Sequence, residues 1–155
     1  MKIKNPKLLI TSLIIPQLFG FVGSLFTTPA IDSWYSGINR PFFAPPNWLF
    51  APVWILLFTL MGISFYLLRL KGKKAKKAVD LFWTQLAFNL LWSIIFFGLK
   101  LPWLAFIEII ILWYYIFITI KASTKINRFS GYLLFPYLLW VSFATLLNLG
   151  FALIN

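Results

Sequence analysis

The sequence predicts an all-α fold, an integral membrane bundle of five transmembrane helices, and three observations carry that prediction. Apolar residues make up 61% of the chain and charged residues 11%, whereas a soluble domain is about half apolar and roughly a quarter charged. The apolar residues gather into five stretches, each near the roughly 20 residues that cross a bilayer as a helix. Between them the basic residues alternate, dense on one side and sparse on the other.

In order, the spans are 8–27, 48–70, 79–99, 102–120 and 132–153, punctuated by Pro, Gly or Lys. The first follows Lys2, Lys4 and Lys7 and contains Pro16; the second contains Pro52 and ends at Arg69. Neighbouring helices accommodate such prolines inside a membrane. The fourth begins at Pro102 and holds Glu108, the one charge well inside a span. Continuous apolarity excludes a membrane barrel, whose strands alternate with period two over about ten residues. The run from Leu8 to Phe26 exceeds the roughly 7 to 15 apolar residues of a signal peptide, so Thr28-Pro29-Ala30 is not read as a cleavage site. No internal repeat or low-complexity tract interrupts the chain, and 1–155 is expected to form a single domain.

Five spans place the N-terminus, the second loop and the fourth loop on one side. That side holds Lys2, Lys4 and Lys7, then Arg69, Lys71, Lys73, Lys74, Lys76 and Lys77, then Lys121, Lys125 and Arg128, twelve of the fourteen basic residues. Arg40 and Lys100 are left on the other. Short basic loops stay cytoplasmic, so a multi-pass protein of the cell membrane is expected, with the N-terminus inside and the C-terminus and first loop outside. The net charge of +11 sits in juxtamembrane loops and reads as contact with anionic lipid headgroups, with no nucleic acid as partner.

Several function classes drop out on composition. With Cys 0 and His 0 there is no disulfide, no thiolate nucleophile and no conventional metal site, and His-based acid and base catalysis is lost. Asp32, Asp80 and Glu108 are the only acids, too few and too scattered for paired-carboxylate hydrolysis. Glu108 is a functional candidate because ionisable groups within spans usually are. Proton relay, contact with the interface and acceptance from a neighbouring hydroxyl all fit its position.

The connection from Thr28 to Asn47, TPAIDSWYSGINRPFFAPPN, is unusual for a linker. Pro41, Pro45 and Pro46 stiffen it, and Trp34, Tyr35, Phe42 and Phe43 give it apolar mass. Two readings stand: a lid packed across the outer mouth of the bundle, or aromatics resting at headgroup depth. Helical spacing then groups residues inside the spans. Trp54 and Phe58 share a face, as do Asn89, Trp92 and Ser93, and as do Trp140, Ala144 and Asn148. Counted along straight helices at about 1.5 Å per residue, Trp54, Trp92 and Asn148 lie roughly 7 to 11 Å below the outer ends, with Trp140 beyond the midplane. Such faces suit one cavity open toward the outer leaflet, or equally interhelical hydrogen bonding and volume filling.

The motif Trp34-Tyr35-Ser36-Gly37-Ile38-Asn39-Arg40-Pro41-Phe42-Phe43-Ala44-Pro45-Pro46 resembles the W-Y-x-x-L-x-K-P-x-[FW]-x-P-P loop of the TspO/MBR family of tryptophan-rich sensory and translocator proteins, which includes the peripheral benzodiazepine receptor. Pro52-Val53-Trp54, Gln85-Leu86-Ala87-Phe88-Asn89-Leu90-Leu91-Trp92-Ser93 and Pro136-Tyr137-Leu138-Leu139-Trp140, with Phe143-Ala144-Thr145 and Leu147-Asn148, resemble that family's second, third and fifth helices in order. Ile38 for Leu and Arg40 for Lys are mild departures. The chain lacks the basic residue that the sterol-recognition pattern of the animal proteins places near the end of the fifth helix, so sterol binding is not implied.

The resemblance implies a receptor or sensor that binds porphyrins, such as protoporphyrin IX or haem, and related flat hydrophobic ligands in a helix-bundle pocket beneath the first loop. Carried over position by position, Tyr35, Pro45, Trp54, Phe58, Asn89, Trp92, Trp140 and Ala144 are its expected ligand-binding residues. It requires no cofactor, and a homodimer is implied as a possible assembly. Two other activities come with the resemblance: light- and oxygen-dependent porphyrin degradation, in which Trp54 and Trp140 would be the redox-active indoles, and carriage of tetrapyrroles or other amphipathic solutes.

Overall fold

The computed structural model describes residues 4–155. Lys2, counted above among the N-terminal basic residues, lies outside the described residues. The first helix, α1 (Pro6–Ala30), starts where the Asn5 side chain accepts from the Leu8 N–H at 3.0 Å and Pro6 takes a position that needs no donor. The second, α2 (Phe50–Arg69), follows a tight turn at Asn47–Leu49. Gly72, at φ 55°, reverses the chain into α3 (Lys76–Ser93), which a wider turn prolongs to Gly98. Lys100, at φ 58°, makes the hairpin into α4 (Pro102–Ile126). Asn127 is extended and caps α5 (Arg128–Leu133), and α6 (Phe135–Ile154) continues nearly the same rod past a break at Leu134. Pro136 lacks the N–H that would have bridged that break.

Among the described residues five rods, with α5 and α6 counted as one, are long and apolar enough to cross a membrane. They close into a ring. α1 packs on α2 and α3, α3 on α4, α4 on α6, and α5 on α2. Close approach is visible at Gly62, where an added Cβ would stand 2.8 Å from Leu13 Cα and 2.9 Å from the Ser12 carbonyl. The half of the bundle nearer the α2–α3 turn is solid. Phe65 and Phe82 stack at 4.4 Å, surrounded by Met61, Leu86, Ile116 and Leu134. Ser64 and Ser130 bond each other across the α2–α5 contact, hydroxyl to carbonyl at 2.9 and 3.1 Å. Arg69 closes this end, donating to Thr11 and Ser12 at 2.9 and 3.0 Å over the Phe65 ring.

Outward-facing positions are apolar along every rod, among them Leu18, Leu25, Leu56, Ile107, Ile110, Leu139 and Leu146. This is a molecule turned toward lipid, where only helices with internally paired backbones are stable.

Two spans begin earlier than the sequence expectation, at Lys76 rather than 79 and at Arg128 rather than 132, and two end well beyond it. α1 runs past 27 and continues through a wider turn to Tyr35, with the Ser33 hydroxyl donating to the Pro29 carbonyl at 2.7 Å. Pro29 removes one donor without stopping the helix, so Trp34 and Tyr35 stand on a helix end and the true loop is 36–46. α4 runs past 120 to Ile126, because Lys121 lies along the Phe117 ring and nothing before Asn127 breaks the backbone.

Candidate functional site

Beneath the first loop the ring of helices encloses a cavity of about 450 Å³. Its floor begins where the solid core ends. Trp54 and Phe58 stack at 5.3 Å on α2, one turn apart as their spacing requires. Trp92 stacks on Phe96 at 5.2 Å where α3 widens. Trp140 on α6 meets Phe50 edge-on at 6.0 Å. All six of those side chains but none of the outward-facing leucines line the space, and Tyr35, Asn89 and Ala144 complete the wall opposite α1. Straight-rod counting separates Trp140 from Trp54; the indole's contact with Phe50, four residues before Trp54, brings them to one chamber.

Seven of the eight sequence-derived site residues therefore converge, namely Tyr35, Trp54, Phe58, Asn89, Trp92, Trp140 and Ala144. Pro45 does not reach the cavity. Its carbonyl accepts from Arg40 Nη2 at 2.8 Å, so it braces the loop from within.

Polar groups are few and mostly committed. Asn148 accepts from Trp92 Nε1 at 3.0 Å and donates to the Pro102 carbonyl at 2.8 Å, which ties three helices together and fixes the Trp92 plane. Asn89 Nδ2 donates to the Tyr137 hydroxyl at 3.0 Å. Hydrogen-bonding glue and cavity wall, the alternatives at the level of sequence, are thus the same residues.

The loop aromatics divide between the two readings offered for them. Tyr35 is buried, packs on Phe151 at 5.1 Å and carries the Arg40 guanidinium over its outer face at 5.2 Å. Trp34 packs edge-on against Phe96 at 5.6 Å. Phe42, by contrast, is fully exposed and Trp48 is 71% exposed, the placement of interfacial anchors. Pro41 and Phe43 seat on α6 at Gly150, where an added Cβ would stand 2.7 Å from Pro41 Cγ.

Sequence reasoning missed the α1 wall. Gln17, Gly20, Gly23, Ser24, Thr27 and Thr28 all line the cavity. The signal was present: small and hydroxyl residues recur every three to four positions along an otherwise apolar helix. Gly20 has a steric reason, since a Cβ there would sit 2.3 Å from the Phe58 ring. Ser24 and Thr27 return their hydroxyls to their own helix, at 2.7 Å to Phe21 and 3.2 Å to Gly23. Gln17 reaches across to Thr59 and the Ile55 carbonyl, both at 3.1 Å. Among the described residues no three acidic side chains gather to hold a metal ion.

The TspO/MBR family model matches residues 12–154, which takes in every wall of this cavity. A tryptophan-rich protein TspO of Archaeoglobus fulgidus is 42% identical over 148 residues, 95% of this chain and 96% of that one. The tryptophan-rich sensory protein of Cereibacter sphaeroides is 35% identical, covering 81% of each chain. The human translocator protein is 35% identical over 87% of this chain and 82% of its own. With five apolar spans arranged around the chamber and the family model matching from α1 through α6, the chain belongs to the TspO/MBR family of multi-pass membrane proteins.

Proposed function

We propose that the protein is a membrane receptor of the sensor type that binds porphyrins, protoporphyrin IX or haem, and related flat hydrophobic molecules in the cavity beneath the first loop. One observation carries the reading: Trp54, Trp92 and Trp140, from three different helices, line a single chamber of about 450 Å³. Small-molecule sites run from about 300 to 1,000 Å³ and are mainly apolar with a few placed polar groups. A tetrapyrrole offers two wide π faces to indole and phenyl rings, and its edge carboxylates suit the Arg40 guanidinium at the mouth. With no histidine in the chain, stacking rather than iron ligation holds the ring. The names of the relatives, sensory and translocator, are compatible with a small-molecule receptor.

The basic loops support an orientation with the N-terminus in the cytoplasm and the cavity mouth outside, the lysines of 71–77 resting on anionic headgroups. Titration of purified protein with protoporphyrin IX, followed by tryptophan fluorescence, tests the site. Quenching is expected in the wild type and in Trp113→Ala, whose indole is bonded to Ser142 away from the cavity, and is expected to be lost in Trp140→Ala. Equal behaviour of the two variants would refute the placement.

A further inference from the structure

Four residues that line the cavity are also exposed on the outside of the bundle, and all four lie on α1 or α2. Phe21 is 63% and Ile55 59% exposed, with Thr28 and Ala51 exposed as well. The lining residues of α3 and α6, by contrast, are buried or half-buried. Helical spacing puts the four on one edge. Gln17, Phe21, Ser24 and Thr28 follow each other at i, i+4, i+7 and i+11 on α1, and Ala51, Ile55 and Gly62 at i, i+4 and i+11 on α2. This is the seam along which the two helices meet.

The seam is shut in the solid half of the bundle and open beside the cavity. Gly62 sits against the backbone of Leu13 and Ser12, and Gln17 Nε2 donates across to the Ile55 carbonyl and the Thr59 hydroxyl, both at 3.1 Å. From Gln17 toward the first loop no hydrogen bond joins α1 to α2 among the described residues, and Ser24 and Thr27 bond back to their own helix. The rims there carry the short side chains of Ser24, Thr28 and Ala51. At the loop end stands Asn47, which lines the cavity and whose buried Oδ1 has no hydrogen-bond partner. The opening thus grades from polar groups next to the interfacial Trp48 to aromatic rings within.

Apolar cavities stay dry and take apolar guests, and each lining atom gains dispersion contact from a neighbour that fills the space. Lipid tails are as apolar as leucine, and at this seam they are the neighbours. We propose that the α1–α2 seam is a lateral slot through which one acyl chain of a phospholipid enters and occupies the chamber. The lipid comes from the leaflet on the first-loop side. Its glycerol region stays at headgroup depth by Asn47 and Thr28, and its chain passes between Phe21 and Ile55 to the rings of Trp54 and Phe58. In the porphyrin-receptor reading this lipid is the resting occupant, which a flat ligand displaces sideways into the bilayer. That consequence rests on that reading; the acyl-chain site does not.

The test uses full-length protein in phosphatidylcholine nanodiscs. The probe is phosphatidylcholine with a photoreactive diazirine at the end of one acyl chain, mixed in at low fraction, and adducts are mapped by mass spectrometry after illumination. Adducts are expected on Phe58, Phe96 and Asn148, chamber residues no more than 5% exposed, in addition to outward-facing Leu25 and Leu56. A second probe, with the diazirine next to the ester, is expected to label Thr28 and Ala51 instead of the chamber. Ala51→Phe and Ser24→Phe each set a ring in the slot and are expected to abolish the chamber adducts while the outer ones persist. Neither position belongs to the packed core. Adducts confined to outward-facing residues, or chamber adducts that both variants keep, overturn the proposal. Should either variant not fold, the other and the two-probe comparison on wild-type protein decide it.

Addition of protoporphyrin IX is expected to remove the chamber adducts and leave the outer ones. Porphyrin that leaves the chamber adducts in place would count against the receptor reading while the acyl-chain site stands. Porphyrin that binds to protein showing no chamber adducts would sink the acyl-chain site alone.

Discussion

Asn39, in the first loop, and Asn155, just past the end of α6, close on one another. The Asn39 N–H donates to Asn155 Oδ1 at 2.9 Å, and Asn155 Nδ2 returns to the Asn39 carbonyl at 3.0 Å. Asn39 Nδ2 adds a third contact to the Ile154 carbonyl at 3.3 Å. Together with Pro41 and Phe43 seated on Gly150, this pins the loop to the end of α6.

Asn155→Ala removes both side-chain bonds while leaving the loop sequence intact. Because these groups are exposed, the net value of the pair is about 1 kcal/mol, so lid opening should become roughly fivefold more frequent. Stopped-flow mixing with protoporphyrin IX should show association and dissociation both accelerated by that factor, with the equilibrium affinity nearly unchanged. Unaltered rates would mean that the loop does not gate entry.

Asn148 should matter to stability more than its single place on α6 suggests. Asn148→Ala breaks its bonds to Trp92 and to Pro102, and in the lipid-embedded interior no water replaces them freely. A loss of about 2 kcal/mol is expected. Ser142→Ala, which removes one acceptor from Trp113 Nε1 at 2.8 Å, should cost about 1 kcal/mol. Thermal unfolding in detergent ranks them, and equal midpoints would show that the three-helix tie is not what holds Trp92.

The contrast between these residues also explains what was legible in the sequence. The spans could be read because lipid allows one pattern, about twenty apolar residues between polar loops. Trp54, Phe58, Asn89 and Trp92 could be placed because each pair sits one turn apart on its own helix. Trp140 was misplaced in depth because a straight-rod count ignores where the side chain points. Tyr35 was assigned to a loop because Pro29 looks like a terminator in sequence, whereas the helix absorbs it with a wider turn. Pro45 entered the site by family position, yet its carbonyl serves Arg40. The α1 wall was overlooked because glycine, serine and threonine in a membrane helix read first as packing residues; only Phe58 pressed against Gly20 reveals which way that stripe faces.

Two glycines should separate binding from stability. At Gly20 the three atoms nearest an added methyl all belong to the Phe58 ring, which lines the cavity and can yield into it. Gly20→Ala is therefore expected to fold normally and to lower porphyrin affinity about tenfold, as overpacking of roughly 1 to 3 kcal/mol is transferred to the site. Phe58→Leu should recover part of it. At Gly62 the same methyl meets the backbone of Leu13 and Ser12, which cannot yield without parting α1 from α2. Gly62→Ala should lower the unfolding midpoint while the folded fraction binds normally. Fluorescence titration and thermal unfolding of both variants check this, and the reverse assignment would contradict the packing described.

Lys76 and Asp80 form an exposed pair at 2.6 Å on the first turns of α3. Exposed pairs at this spacing contribute about 0.3 to 0.5 kcal/mol. Asp80→Asn should thus leave thermal stability almost unmoved. Arg69→Ala, which loses Thr11, Ser12 and the Phe65 face together, should lower it clearly. A larger effect at Asp80 than at Arg69 would reverse the ranking of these two contacts.

Orientation can be read directly, because the chain has no cysteine and any single cysteine introduced is a unique label. Ser36 is exposed in the first loop and Lys74 in the basic turn between α2 and α3. Neither belongs to the packed core, so Ser36→Cys and Lys74→Cys should both fold. In intact cells a membrane-impermeant maleimide is expected to label Ser36→Cys, and Lys74→Cys only after the membrane is opened. The expectation rests on the translocation cost of a lysine-rich turn, which favours the cytoplasmic side. The opposite pattern would place the cavity mouth in the cytoplasm, and ligands would then have to approach from within the cell.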